Sequence, residues 1–427
     1  MKSFFLLLFC LIPLCLACDD VQEKPLPRLE DPLHTGRIDF SGAGRIYYEI
    51  TGPDFETPNV AVGDTLVVFG DARVDGDVVL PERNWMAAYA SDATPLITIT
   101  PAFTGPDGTP PEGTYDLRGK LVDSAGVERE LFSVQGELER EDASDASEAS
   151  EARRFELLLD GDDTIQGQLY TPITVTAARL PHDTAKVYTL VIEHVYTTGE
   201  MTYRHTTHTE FAQVWRAPLP NTILYQQIIR WGSQWIDAQV EDLGEPTENQ
   251  LADVLLLSLP KLVPLGYRYG SLVRPVPYTN KAEVFLDYKQ SACGEFFGFF
   301  MDLVETQGID ANYLIFMFPN PSPDWYSMYQ TIDIPALGRE SKVWRYGDHG
   351  LVEVNGRVYD PTYVLIKENA DEYEDYLFAN FCYGDEGKCG RGNTWCLIPD
   401  GPQGICADNE PGYDPELGFM RYRGETY

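Results

Sequence analysis

Three short pieces of this chain carry residue types that do covalent chemistry: Ser291-Ala292-Cys293-Gly294-Glu295, Asp348-His349-Gly350 and Tyr359-Asp360-Pro361-Thr362. A cysteine, a histidine and an aspartate are the parts of a thiol nucleophile, its general base and the carboxylate that orients the base. Such a set attacks a carbonyl and passes through a thioester, and it requires no metal or organic cofactor. The residue types become a site only if the elements around them bring the three side chains together.

Cys293 opens the run Phe296, Phe297, Phe299, Phe300, Met301, Leu303 and Val304. The run is apolar nearly all round and predicts a helix inside the protein. Ser291 is the expected N-cap and Gly308 the expected C′ residue. Cys293 then falls in the first turn, where free N–H groups and the positive end of the dipole favour thiolate over thiol. A buried, inert cysteine is the competing reading. Val343–Val354 and Arg357–Leu365 read as two strands joined by Asn355-Gly356, a two-residue hairpin signal. In that register Val354 faces Arg357 and Leu351 faces Asp360. His349 becomes the diagonal neighbour of Asp360, roughly 7–8 Å away between backbones, and the side chains can close that gap to a hydrogen bond. A one-residue slip would put them on opposite faces. A surface His and Asp on a hairpin is the plainer alternative.

The stretch Ala282–Ile309, in which a cysteine opens a helix that ends in Gly-Ile, resembles the nucleophile segment of the transglutaminase-like superfamily. His349-Gly-Leu-Val-Glu-Val354 and Tyr359-Asp-Pro-Thr362 resemble its histidine strand and its Asp-Pro-Thr strand. The resemblance covers about Asn249 to Leu365. It implies a papain-like α+β core with Cys293 as nucleophile, His349 as base and Asp360 as orienter. Three positions depart from the family's pattern. Ser291-Ala292 stand where the approach to the cysteine is usually Gly-rich. Asp310-Ala311-Asn312 stand where Ala-Arg commonly follows Gly-Ile, and Leu351 stands where an aromatic is common. These departures bear on the substrate groove and the oxyanion arrangement. The backbone N–H of Cys293 is one oxyanion donor suited to this chemistry. The side chains of Gln290 and Tyr288 are candidates for a second.

The remaining sequence says where such a site would work. Lys2 followed by the apolar run Phe4–Leu16 reads as a secretory signal, and it is short for a membrane span. Leu14-Cys15-Leu16-Ala17-Cys18-Asp19 resembles a bacterial lipoprotein box with Cys18 as the lipidated residue, although Cys15 sits where Leu is usual. Simple cleavage near Ala17, leaving Cys18 free, is the alternative. The net charge of −35 argues against nucleic acid and against electrostatic attachment to anionic lipid. Of the eight cysteines, Cys382, Cys389, Cys396 and Cys406 cluster in a Gly- and Asn-rich stretch and read as two disulfides of undetermined pairing. A zinc site is the rival, but short Cys-x2-4-Cys knuckles are missing. Cys293 is left without a nearby cysteine.

A chain of 427 residues with 43% apolar content is long enough for two or three domains. Short β-branched or aromatic runs between Gly, Pro and Asp clusters, among them Arg45–Ile50, Thr65–Phe69, Pro95–Thr100, Gly167–Tyr170, Val187–His194 and Met201–Thr209, predict a sandwich. Glu130–Glu137 and Arg154–Leu159 are candidates for two strands of one hairpin, so the acidic, low-complexity stretch 139–153 is either an inserted loop or an interdomain linker. His205-Thr-Thr-His208 invites a metal reading, but in a strand its histidines point to opposite faces, and no metal site is assigned. Helical spacing returns in Asn221–Ala238 and in Asn249–Leu262, the second opening at Thr247 and disturbed by Pro260.

The expected architecture is multidomain. It comprises a signal peptide (1–17), a lipid-anchored flexible tether (18–35), an all-β, sandwich-like region (36–215), an α+β papain-like or transglutaminase-like domain (216–377) and a disulfide-rich C-terminal extension (378–427). The expected function is a cell-envelope cysteine acyl-transfer enzyme, exported and lipid-anchored to a bacterial membrane, acting on a protein or peptide substrate. Whether the outcome is hydrolysis, cross-linking or deamidation is open. The rival is a non-catalytic lipoprotein that binds or scaffolds on a degenerate core.

Overall fold

The computed structural model describes residues 33–424 apart from 47, 49–65, 69–71, 76–77, 82–85, 104–112, 139–153, 159–163, 170–171, 200, 221, 241–244, 271–280, 318–326, 332–335, 340–344, 347 and 386–419. The expected signal, the expected lipidation site Cys18, the acidic stretch and Cys389, Cys396 and Cys406 lie outside the described residues. The chain is β-rich, with several sheets and few helices.

The first half supplies β1 Leu33–Ser41, β2 Leu66–Val68, β3 Ala72–Asp75, β4 Val78–Pro81, β5 Met86–Ala90, β6 Leu96–Phe103, β7 Gly113–Val122, β8 Glu128–Leu138, β9 Arg154–Leu158, β10 Thr164–Leu169, β11 Ile173–Thr176, β12 Lys186–Thr198 and β13 Met201–Val214. One sheet runs β2-β1-β6-β10-β9, with β11 also on β6, and a second runs β5-β13-β12-β7-β8. Ile38, Phe40, Ile97 and Ile99 from the first join Leu117, Leu121, Leu190, Ile192 and Phe211 from the second in one buried cluster. This is the alternation that two sheets sharing a core require.

Three sequence expectations change here. The strands flanking 139–153 do not form a hairpin: β8 pairs with β7 and β9 pairs with β10, in different sheets. Alternating apolar residues mark a strand but do not name its partner. Of the expected strand Arg45–Ile50, Arg45 makes an isolated bridge to Tyr89 and residues 47, 49 and 50 lie outside the described residues, and the first described strand begins at Leu33, inside the expected tether. His205 and His208 do take opposite faces of β13. His205 sits opposite His194 on β12, with ring centroids 6.0 Å apart.

The second half supplies α1 Gln226–Val240, α2 Glu248–Ser258, a 3₁₀ segment Leu259–Leu265, β14 Arg268–Tyr269, α3 Lys281–Tyr288, β15 Gln290–Ser291, α4 Cys293–Glu305, β16 Asn312–Met317, β17 Ser327–Thr331, β18 Arg345–Tyr346, β19 Asp348–Val354, β20 Arg357–Asp360, β21 Leu365–Lys367, α5 Ala370–Asn380, β22 Phe381–Asp385 and β23 Met420–Gly424. Thr247 caps α2 through a reciprocal exchange with Gln250, and Pro260 accompanies the change to 3₁₀. An antiparallel sheet runs β21-β20-β19-β16-β23. Its edge strand β23 comes from the segment expected to be a separate C-terminal extension, and Cys382 lies in β22, which pairs with β17.

Helix α4 lies against this sheet. Phe297 meets Tyr313 of β16 and Phe300 meets Tyr359 of β20, at centroid distances of 6.5 and 5.9 Å. On its other flank, Phe285 of α3 stacks on Phe299 at 4.2 Å and meets Phe296 at 4.9 Å. A helix apolar all round is buried on all sides, as its sequence requires.

Candidate active site

The hairpin that carries two of the three chemical residues follows from its turn. Asn355 and Gly356 both take positive φ, 48° and 83°, the conformation of a type I′ turn whose twist matches the strands it joins. The register is Val354 opposite Arg357 and Val352 opposite Tyr359. Arg357 is fixed by ion pairs to Asp253 of α2 at 2.7 Å and to Glu368 at 2.8 Å. His349 Nε2 and Asp360 Oδ2 lie 2.9 Å apart, and both residues are essentially inaccessible, at 1% and 0% exposed.

Helix α4 brings the third. The N-cap is Ala292, one residue later than expected, because Ser291 is drawn into β15 opposite Tyr269 of β14. Alanine offers no capping oxygen. Instead Glu295 Oε2 reaches back to accept the Ala292 N–H at 2.9 Å, one half of a capping box. Cys293 is therefore the first helical residue, half-buried and in no disulfide among the described residues. Its thiol is one of the groups that raise the pKa of the His349 ring. At the other end Gly308 has φ +74°, and a methyl there would lie 2.6 Å from the Ala217 carbonyl oxygen. Glycine is required at that position.

Burial alone would drive the His349 ring toward its neutral form. The Asp360 carboxylate and its hydrogen bond, with Cys293 adding to them, outweigh that effect and hold the ring's pKa well above the usual imidazole range. With Nε2 on the carboxylate, Nδ1 is the ring's other nitrogen, and it too is buried. Asp360 is itself held from three sides besides His349. Oδ1 accepts the backbone N–H of Thr362 at 2.9 Å and of Tyr363 at 3.2 Å, and Oδ2 accepts the Tyr373 hydroxyl. The Asp-Pro-Thr sequence thus forms a turn in which the aspartate caps its own following amides.

Two tyrosines belong to this site that spacing gave no way to find. Burial first, and then Asp360, hold the Tyr373 phenol well above its ordinary range, so it is a donor. The Tyr269 phenol is raised by burial and by the charges of Cys293, Asp360 and Glu295, and its ring lies 6.1 Å from that of Phe296 in α4. Of the expected oxyanion candidates, Gln290 Oε1 accepts from Arg268 Nε at 3.2 Å and Tyr288 ends α3 about half exposed. No group of three or more metal-ligating side chains occurs among the described residues. No described helix is long and apolar enough to cross a membrane.

No protein-family model matches the chain, and no curated protein does. Among solved structures it is similar to red sea bream transglutaminase, at 12% identity and TM-score 0.25 over 66% of this chain and 49% of the other. It is also similar to a family 123 glycoside hydrolase from Clostridium perfringens, at 15% identity and TM-score 0.18 over 44% and 33%. The chain thus spans about half the length of the first and a third of the second. Overlays this loose carry no argument about chemistry.

Proposed function

We propose that this chain is a cysteine acyl-transfer enzyme of transglutaminase-like type, built on a papain-like α+β core behind a β-sandwich region. The buried His349–Asp360 pair, with the Cys293 thiol at the start of α4 among the groups that act on the same ring, is the observation that supports it. The Cys293 thiolate attacks the carbonyl carbon of a peptide or carboxamide. A C–S bond forms as the C–N bond breaks, and the His349 imidazolium gives its proton to the leaving amine. Water or an amine then attacks the thioester, returns a proton to His349 and releases an acid or a new amide with the thiolate restored. Asp360 keeps the ring turned toward sulfur and stabilises its charged form. The Cys293 N–H, with Gln290, Tyr288 or the Tyr269 hydroxyl, supplies the oxyanion donors. The N-terminal sequence supports export and lipid attachment at Cys18, so the substrate is a protein or peptide of the cell envelope. The cysteine-rich tail is closed by disulfides among Cys382, Cys389, Cys396 and Cys406.

An active ester tests the chemistry without knowledge of the natural substrate. Mixed with p-nitrophenyl acetate, the full chain should release a burst of nitrophenolate equal to the enzyme present, with the acetyl group on the Cys293 peptide by mass spectrometry. Cys293→Ala and His349→Ala should lose it. No burst and no acetylated Cys293 would leave the scaffold reading standing.

A further inference from the structure

We propose that Tyr373 is a positioning residue of the Cys293 site: its hydroxyl shares Asp360 Oδ2 with His349 Nε2 and fixes the carboxylate that aims the imidazole at sulfur. This rests on the acyl-transfer reading of that site. The two oxygens of Asp360 are held differently. Oδ1 is bound by amides of its own turn, at Thr362 and Tyr363, whereas Oδ2 is bound only by side chains from other elements, His349 of β19 and Tyr373 of α5. Without Tyr373, the oxygen that holds the base would have the base as its one donor. The phenol is well placed for the task. Tyr373 is fully buried, its ring lies 5.4 Å from that of Phe316, and Phe316 is the residue opposite His349 in the β16–β19 pairing. At the backbone, the Tyr373 N–H donates to the Asn369 carbonyl at 3.2 Å, and Asn369 Oδ1 accepts the Glu372 N–H. The start of α5 is thereby fixed and Tyr373 reaches Asp360 from a set position.

The titratable groups around Asp360 are His349 of β19, Tyr373 and Tyr376 of α5, Tyr269 of β14, Tyr363 after β20 and Cys293 of α4. The four phenols are neutral at working pH, so acid changes the site through the Cys–His–Asp set. A carboxylate stripped of a hydrogen-bond donor is protonated more readily. Once protonated, it no longer stabilises the imidazolium.

The test is the rate at which iodoacetamide modifies Cys293, followed on the Cys293 peptide by mass spectrometry from pH 5 to pH 9. Tyr373→Phe keeps the ring and its packing. It should slow the reaction about tenfold on the acid limb of the profile and move the acid edge up by about one pH unit, the worth of one hydrogen bond to a charged group. In a His349→Ala background the same change should have no effect, since Tyr373 acts through the base. If Tyr373→Phe does not fold, Phe316→Leu, which keeps the hydroxyl and loosens its ring, should move the edge the same way by less. A Tyr373→Phe profile identical to wild type, or an equal slowing without His349, would overturn the positioning role. Failure of the underlying reading looks different: His349→Ala would leave the wild-type rate unchanged.

Discussion

The distance between nucleophile and base is set by a contact that a single methyl group should break. Gly350 follows His349 in β19, and a methyl built on it would lie 2.0 Å from Phe297 Cδ1 and 2.4 Å from Cε1. Phe297 stands one turn beyond Cys293 in α4 and is buried. Carbon atoms in contact sit about 3.5–4.0 Å apart, so Gly350→Ala requires the helix or the ring to retreat by roughly 1.5 Å. Gly350 does not have a positive φ, so alanine adds bulk without backbone strain. Overpacking of this kind costs about 1–3 kcal/mol. A shift of about 1 Å between reacting groups lowers rate by roughly a hundredfold. Urea unfolding should show the stability loss, and Cys293 alkylation at neutral pH should slow by one to two orders of magnitude in the protein that remains folded. Combining Gly350→Ala with Phe297→Ala should cost less than the two changes summed, because the clash is gone. A Gly350→Ala protein with wild-type stability and wild-type alkylation would refute the idea that this contact sets the spacing.

Glu305 should make stability depend on pH. Burial foremost, and the charge of Asp310, raise its carboxyl to about 7 against the Thr222 hydrogen bond. A carboxyl raised in the folded state stabilises below its ordinary range, near 4.5, and that contribution is lost as pH rises through about 7. Urea midpoints should therefore fall between pH 5 and pH 8 in the wild type and change less in Glu305→Gln, with about 1–2 kcal/mol in favour of the variant at pH 8. Parallel curves would contradict this. Gly308→Ala should lower the melting temperature more than Gly356→Ala. Both glycines have positive φ, worth about 1 kcal/mol each, but only the methyl at 308 also meets a carbonyl oxygen, while that at 356 meets open space. Thr247→Ala should cost about 1 kcal/mol by removing the α2 capping box, visible in thermal melts with little effect on Cys293 reactivity.

Much of the candidate site's geometry was legible because its parts are local. Asn355-Gly356 dictates its own turn, the turn dictates the register, and the register puts His349 beside Asp360. The apolar run after Cys293 likewise fixes a buried helix and the cysteine's place at its start. What the sequence hid is non-local. Tyr269 and Tyr373 stand far from the residues they serve, on either side along the chain, and nothing marks them off from the other tyrosines. The cap moved from Ser291 to Ala292 because a two-residue pairing with β14 claimed Ser291. The strands on either side of 139–153 alternate as strands should, yet they went to different sheets, since partner choice depends on the whole fold. The same holds for β23, an edge strand of the central sheet supplied by the end of the chain.

The measurement that bears most directly on the proposal is the alkylation rate of Cys293 at pH 7 in the native, non-reduced full chain, beside that of His349→Ala. A thiol paired with an imidazolium should react at least tenfold faster than free cysteine at that pH, and His349→Ala should bring it down to the free-cysteine rate. Equal rates in the two proteins, at or below that of free cysteine, would mean that His349 does not activate Cys293 and that the chain is not an enzyme of this kind.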